Sequence, residues 1–368
     1  MERKNAWAAY AGDDGRVEAF AKAYCDFINN GKTERECVAY GEKLAKAHGF
    51  EDLNAVVRSG RKLEAGARVY ANWMGKSFML FVLGEKPLEE GMNILGAHID
   101  SPRIDVKQNP LYEDTDLAYL DTHYYGGIKK YQWVAIPLAL HGVIVRKTGE
   151  KVIINIGEDE NDPVFCISDL LVHLAQEQMT KNAKEVVEGE ALNLIVGGRP
   201  LAGEEKDAVK ANVLKLLADK YGVEEEDFLS AELEIVPAGK ARDMGFDRSM
   251  ILAYGHDDRV CAYPSMMAVL DYEGTPEYTL CCIVTDKEEI GSVGATGMAS
   301  HYLENTVAEL YACTADYCEL AVRRCLRNSR MLSSDVSAGY DPNFASAFEK
   351  KNSAFLGRGI CFNKFTGS

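Results

Sequence analysis

A chain of 368 residues with 47% hydrophobic and 27% charged side chains can bury a large core, and it reads as a soluble globular protein of two domains. Its net charge of -16 would repel a phosphate backbone, which argues against a nucleic-acid partner, and no apolar run approaches the ~18–20 residues that span a bilayer. The opening Met1-Glu2-Arg3-Lys4-Asn5 leads into no signal-type apolar core, and ten cysteines without a close Cys-x2-Cys pair read as buried thiols of a reducing cytoplasm.

Val17, Phe20, Ala21, Tyr24, Phe27 and Ile28 recur at helical spacing and predict an amphipathic first helix. Thr33-Glu34-Arg35-Glu36 fits a capping box that opens a second helix, which Gly49 can close. Residues 70–72 and 77–83 read as a hairpin turning at Met74-Gly75. The apolar run Ile94-Leu95-Gly96-Ala97, closed by Ser101-Pro102, predicts a buried strand with His98 and Asp100 at its C-terminal end. Residues two apart on a strand face the same side, so Asp100 can orient the His98 imidazole while a ring nitrogen binds metal.

Beyond Pro102 the pattern changes. Residues 112–133 are rich in Tyr, Asp and Gly without a clear period, residues 134–145 and 151–156 resemble strands, and residues 167–179 and 208–220 resemble helices. With a short strand at 233–236, the block 103–248 reads as a domain inserted between the His98 strand and the later carboxylates. The catalytic part is then discontinuous, 1–102 and 249–368. From Met250 the order becomes strand (251–254), acidic turn (Asp257-Asp258-Arg259) and helix (260–270). Residues 278–285 are a near-continuous apolar strand, fit for the middle of a covered sheet, and they end in Asp286-Lys287-Glu288-Glu289. Residues 310–314 and 330–333 add apolar or strand-end segments, the latter leading to Asp335. Alternating strands and helices of these lengths predict an α/β sandwich.

Asp257-Asp258, Glu288-Glu289 and Asp335 each follow an apolar strand, as His98 ends one. In an open α/β sheet the carboxyl ends of strands line the ligand crevice. An imidazole and several carboxylates meeting there suit Zn²⁺, Mn²⁺ or Co²⁺, and an aspartate can bridge two ions ~3.5–4 Å apart. Of two adjacent glutamates, one can bind metal while the other takes a proton from water. Taken singly, Asp257-Asp258-Arg259 also fits a helix N-cap with a local ion pair, and Glu288-Glu289 a solvated charge run. Gly291, Gly294 and Gly297 lack the Lys-Ser/Thr of a phosphate loop and read instead as places of close backbone approach.

The ordered set Gly96-Ala97-His98-Ile99-Asp100-Ser101-Pro102, Asp257-Asp258-Arg259, Asp286-Lys287-Glu288-Glu289-Ile290-Gly291-Ser292, Ser334-Asp335-Val336 and Asp341-Pro342-Asn343 resembles the M18 family of metalloaminopeptidases. The resemblance implies a zinc-peptidase α/β core interrupted by a dimerisation domain, assembled into a dodecamer, and a reaction that removes one residue from peptide N-termini. Carried over by position, it implies that His98 and Asp335 hold one of two zinc ions, Asp257 bridges both and Glu289 binds the second. Glu288 would be the general base, Asp100 would orient His98, and His173 would reach a neighbouring subunit's site. The family ends in a further segment whose histidine completes the second metal site, whereas the last histidine here is His301. A member shortened at its C-terminus, with one tightly held metal and little activity, is therefore expected. Two other readings are a catalytically impaired relative acting as an assembly or binding subunit, and a metal-dependent hydrolase of non-peptide acyl substrates.

Overall fold

The structure, a computed structural model, describes residues 4–364; the parts of the opening and closing stretches at 1–3 and 365–368 lie outside the described residues. Helix α1 (Asp14–Asn30) buries Tyr24, Phe27 and Ile28. The expected capping box opens α2 (Glu34–Ala47): the Glu36 N–H donates to Thr33 Oγ1 at 3.3 Å, and the Glu36 carboxylate accepts the Thr33 N–H at 3.1 Å. Two of the donors orphaned at a helix start are thereby satisfied. Strand β1 (Glu51–Asp52) and α3 (Leu53–Ser59) follow. The hairpin forms as β2 (Arg68–Trp73) and β3 (Ser77–Val82), with Met74 and Gly75 both at positive φ in its turn. Strand β4 (Met92–His98) ends on the histidine.

The next block builds a sheet of its own. Its strands are β5 (Arg103–Asp114), β6 (Leu117–Tyr125), β7 (Leu138–Val145), β8 (Lys151–Ile156), β9 (Leu194–Gly197) and β10 (Glu232–Pro237), with α4 (Ala208–Tyr221) packed alongside. The order is β8-β7-β10-β5-β6-β9, antiparallel throughout, over a core that includes Ile104, Leu138, Ile144, Leu194 and Ile235. Two expectations are corrected here. Residues 112–125 belong to the β5–β6 hairpin, and in β6 Ala118, Leu120 and Thr122 are buried at period two. Residues 167–179 are not a helix. Their approach is held as bridges, Phe165 to Leu138 and Cys166 to Ile195, and Leu170, Leu171, Val172 and Leu174 are exposed. An apolar helical period needs a face to bury, and none covers these side chains.

The chain then forms β11 (Arg242–Met244), β12 (Met250–Leu252), α5 (His256–Leu270), β13 (Thr279–Thr285), α6 (Tyr302–Thr314), α7 (Glu319–Asn328) and β14 (Arg330–Ser333). Residues 310–314, expected as a strand-like segment, are the last turn of α6, whose Val307, Leu310 and Tyr311 face the core at helical spacing. The first sheet has the order β1-β2-β3-β13-β4-β14. Period-two alternation sets its layers: Phe78, Leu80 and Val82 pack with α1, α2 and α5, while Met79 and Phe81 pack with α3, α6 and α7. The result is the predicted α/β sandwich. Phe81 is fully buried in it, and truncation to Ala there would cost about 3–5 kcal/mol.

Buried ion pairs join the two sheets. The buried Glu34 of α2 faces Lys76 at 2.8 Å and Arg103 of β5 at 3.3 Å, and Arg103 also meets Asp105 at 2.8 Å and Glu234 of β10 at 3.3 Å. Nearby, Lys32 Nζ donates to Pro237 O and Gly239 O and pairs with Glu158. Five of the ten cysteines are buried, so the expectation of buried thiols holds for half of them. No helix among the described residues is long and apolar enough to cross a membrane.

Candidate metal centre

Strands β13, β4 and β14 are neighbours and parallel, so their carboxyl ends open on one edge of the sheet. The register pairs Thr285 with His98 and Ser333 with Gly96. His98 thus lies between the Glu288-Glu289 turn and Asp335. Asp257-Asp258 arrives differently from expectation. Strand β12 pairs only with β11, outside this sheet, and it is the start of α5, packed against β4, that delivers the two aspartates. Asp257 and Asp258 depart from helical φ/ψ and are joined by a cis peptide. Neither caps the helix through its side chain, and Arg259 is buried and donates instead to Ile99 O and Lys32 O. The local N-cap reading of this motif is therefore set aside.

His98 is 3% exposed. Its Nδ1 lies 3.0 Å from Asp100 O and 3.3 Å from Asp100 Oδ1, an arrangement that in the neutral ring puts the proton on Nδ1 and a lone pair on Nε2. That Nε2 is buried without a hydrogen-bond partner. Around it stand Asp257 Oδ1 at 3.2 Å, Glu288 Oε2 at 3.6 Å and Asp335 Oδ1 at 4.0 Å. Burial pulls the histidine pKa down, but Asp100 and Asp257 outweigh it and raise it to about 11, so with no cation present Nε2 is protonated and an ion binds there by displacing that proton. Burial, reinforced by neighbouring carboxylates, pushes Glu289 up to about 7 and raises Glu288; burial likewise takes Asp258 to about 6. The cause is shared: too many carboxylates meet in a partly dry cleft without enough positive charge.

Two groups of donor atoms lie within 4.8 Å of one another, His98 with Asp258 and Asp335, and His98 with Asp257 and Glu289. One unpartnered imidazole nitrogen ringed by carboxylate oxygens fits a divalent cation of the zinc, manganese or cobalt type. Asp100 accepts the Glu288 N–H on Oδ1 and the Glu289 N–H on Oδ2, each at 3.2 Å, so one carboxylate holds the histidine and the glutamate turn together. The loop beyond is braced by Thr296 Oγ1 donating to buried Asp286 at 2.6 Å. At Gly297 a Cβ would lie 2.3 Å from Ser292 O, the close approach expected, whereas Gly291 and Gly294 face open space and are corrected: their positive φ, +94° and +80°, is what calls for glycine there.

His98, Asp100, Asp257, Glu288, Glu289 and Asp335 are thus brought together, while His173 sits on an exposed turn and belongs to neither donor group. Sequence reasoning gave no part to Asp258, which is fully buried, accepts the His98 N–H at 3.4 Å and leaves Oδ1 unpartnered. Its adjacency to Asp257 was the available signal. Tyr125, whose hydroxyl reaches Asp100, was also missed, and nothing local in the sequence marks it.

A family model described as aminopeptidase I zinc metalloprotease (M18) matches residues 27–367. A curated relative from Clostridium acetobutylicum, named "Probable M18 family aminopeptidase 1", is 57% identical over 371 residues, covering 100% of this chain and 79% of its own length. The crystal structure of aminopeptidase I from Clostridium acetobutylicum superposes with a TM-score of 0.90 at 54% identity, over 100% of this chain and 80% of that one. A more distant neighbour, titled the S. cerevesiae mApe1 dodecamer, shares the fold with a TM-score of 0.71 at 21% identity, over 92% of this chain and 76% of that one. A family model that covers nearly the whole chain, with identity above one half to a named relative, carries the conclusion: this chain belongs to the M18 aminopeptidase family, a family of zinc metallopeptidases.

Proposed function

We propose that this chain removes the N-terminal residue from peptides at a centre for two divalent ions, with His98, Asp257, Glu289 and Asp335 as ligands and Glu288 as general base. The observation that carries the reading is the buried, unpartnered Nε2 of His98 facing three carboxylates. Bound zinc, or manganese or cobalt in its place, would polarise the scissile carbonyl and acidify water. Asp257 stands nearest the free imidazole nitrogen and takes the shared position. Asp258 already accepts the His98 N–H, so its task is to hold the end of β4. Glu288, pinned through its backbone by Asp100 and half exposed, takes a proton from the attacking water and returns it to the leaving amine.

Both donor groups draw on the same imidazole, and one free nitrogen can serve only one ion. The ion that takes it is held tightly; the other, left with carboxylates among the described residues, is held weakly. We further read residues 103–248 as a dimerisation domain, with the exposed Leu170, Leu171, Val172 and Leu174 covered by another copy and His173 directed to that copy's site. A homo-oligomer follows, in keeping with the dodecamer of the S. cerevesiae protein, and we assign it to the cytoplasm.

Metal titration with a panel of peptides tests the whole. One tight and one weak zinc per chain are expected, with cleavage of peptides that have a free N-terminus. Cleavage of acetylated peptides or simple esters alone would replace the aminopeptidase reading. A chain that binds no divalent ion would end it.

A further inference from the structure

We propose that Tyr125 is a positioning residue for the metal centre, fixing Asp100 and, through Asp100, both the His98 imidazole and the Glu288-Glu289 turn. The inference rests on the metal-site reading above and adds a residue from the other sheet. The topology explains how such a residue gets there. The chain leaves the site at Ser101, runs out along β5 and returns along β6, and the hairpin register sets Tyr125 opposite Arg103, two residues from Ser101. A residue remote in sequence is thereby delivered to the mouth of the site by backbone pairing alone.

The chemistry at the contact is specific. Tyr125 is 7% exposed and Asp100 fully buried, and the phenol donates to Asp100 Oδ2 at 2.7 Å. The Asp100 carboxylate thus gathers Tyr125 OH, two glutamate N–H groups and the histidine ring. Of these donors only the phenol comes from outside the catalytic sheet and its loops. Its ring is set between two cations, the Arg103 guanidinium at 3.9 Å from the centroid and the Lys287 ammonium at 5.2 Å. The next residue reinforces the contact. Gly126 has φ +73°, and a Cβ there would come within 3.2 Å of Glu289 Cβ and 3.4 Å of Pro102 Cα. The Tyr125-Gly126 turn therefore bears on Asp100 and Glu289 together. Groups that orient a metal-binding histidine typically change metal affinity or activity by about 10–100-fold when removed.

The test is a double-mutant cycle on the full chain, read as zinc affinity by competition with a chromogenic chelator. Tyr125→Phe, which keeps the ring between its two cations, should weaken zinc binding about 10–100-fold. In an Asp100→Ala background the same substitution should change nothing further, because its route of action is gone. Affinity within about twofold of the wild type, or an equal loss in both backgrounds, would overturn the proposal. Cobalt supplies a readout independent of affinity: the visible bands of the Co²⁺-loaded protein should move in Tyr125→Phe, and coincident spectra would also overturn it. If Tyr125→Phe does not fold, site-specific fluorotyrosine at position 125, nearly the same size and a stronger donor, should shift the cobalt bands, and unmoved bands overturn the idea. A wild-type chain that takes up no zinc would remove the metal-site reading and this inference together. Tight wild-type binding with an inert Tyr125→Phe removes only this one.

Discussion

The two six-stranded sheets differ in the respect that decides where chemistry can gather. In the first, β13, β4 and β14 run parallel, so three chain ends open on one edge and carry Glu288 and Glu289, His98 and Asp335 to within a few ångströms. In the second every pairing is antiparallel and successive ends alternate between edges. Its ionisable groups are correspondingly spread along strands, and they are used to bind the sheet to its neighbour. Parallel pairing concentrates function, and antiparallel pairing builds surfaces. The β5–β6 hairpin is the exception, since its long return brings Tyr125 back to the edge where the chain left.

The comparison is broken most severely at the parallel edge. Glu288→Gln is expected to lower aminopeptidase turnover about 10²–10⁴-fold while zinc content stays unchanged, because a general base is lost and no ligand is. Loss of zinc along with turnover, measured by metal analysis of the purified variant, would move Glu288 into the ligand set and leave another group as base. The joint between the sheets offers the next test. Burial raises the Glu34 pKa, but Arg103 and Lys76 outweigh it and hold that carboxyl well below the usual range. For Glu234, burial dominates and pushes it well above the usual range despite Arg103. The two carboxyls are thus pushed in opposite directions, Glu34 toward its charged form and Glu234 toward its neutral one. Glu34→Ala would leave Lys76 and Arg103 undercompensated in the interior, at a cost of about 3–5 kcal/mol by urea unfolding. Glu234→Gln, which keeps the shape of a carboxyl whose neutral form burial favours, should stay within about 1 kcal/mol of the wild type. Equal costs for the two substitutions would mean that both glutamates carry charge.

The smallest effect is a slope. His141 of β7 is buried between Glu36 of α2, at 2.8 Å from Nδ1, and Glu158, at 3.2 Å from Nε2, with Lys32 pairing the same Glu158. Burial lowers its pKa, and the hydrogen bonds to Glu158 and Glu36 outweigh it, so the net shift is upward. A folded pKa above the unfolded value gives stability that is complete below pH ~6.5 and is lost as pH rises through the folded pKa. The loss proceeds at no more than about 1.4 kcal/mol per pH unit for one proton. His141→Gln should remove that component, so its unfolding free energy and that of the wild type should converge as pH rises. Parallel curves from pH 6 to 10 would assign the slope to other groups.

What could be read in the sequence follows the same division. His98, Glu288, Glu289 and Asp335 each stand just where an apolar strand stops, so chemistry and hydrophobic run locate them together, and the α2 capping box is likewise complete within four residues. The elements that escaped are governed by distant partners. Residues 167–179 carry helical spacing, yet Ala135, Leu138 and Ile195 fix the approach to them in an extended path. In the β5–β6 hairpin, Tyr125 owes its place to the pairing with Arg103. For Asp257 the strand logic put the residue beside His98 by the wrong route, because α5 delivers it.

Asp335 follows β14, an edge strand of the first sheet, which among the described residues pairs on one side only and exposes Met331 and Leu332. Its partner in the centre, His98, terminates an inner strand that is paired on both sides. An ion held by both would therefore cross-link an inner strand to an edge strand. Binding energy spent there is folding energy for the edge. Metal depletion should register first as local fraying, with faster amide exchange at Met331, Leu332 and Ser333 while β4 keeps its protection. An ion bound as proposed would tie catalysis to the mechanical integrity of the sheet's margin.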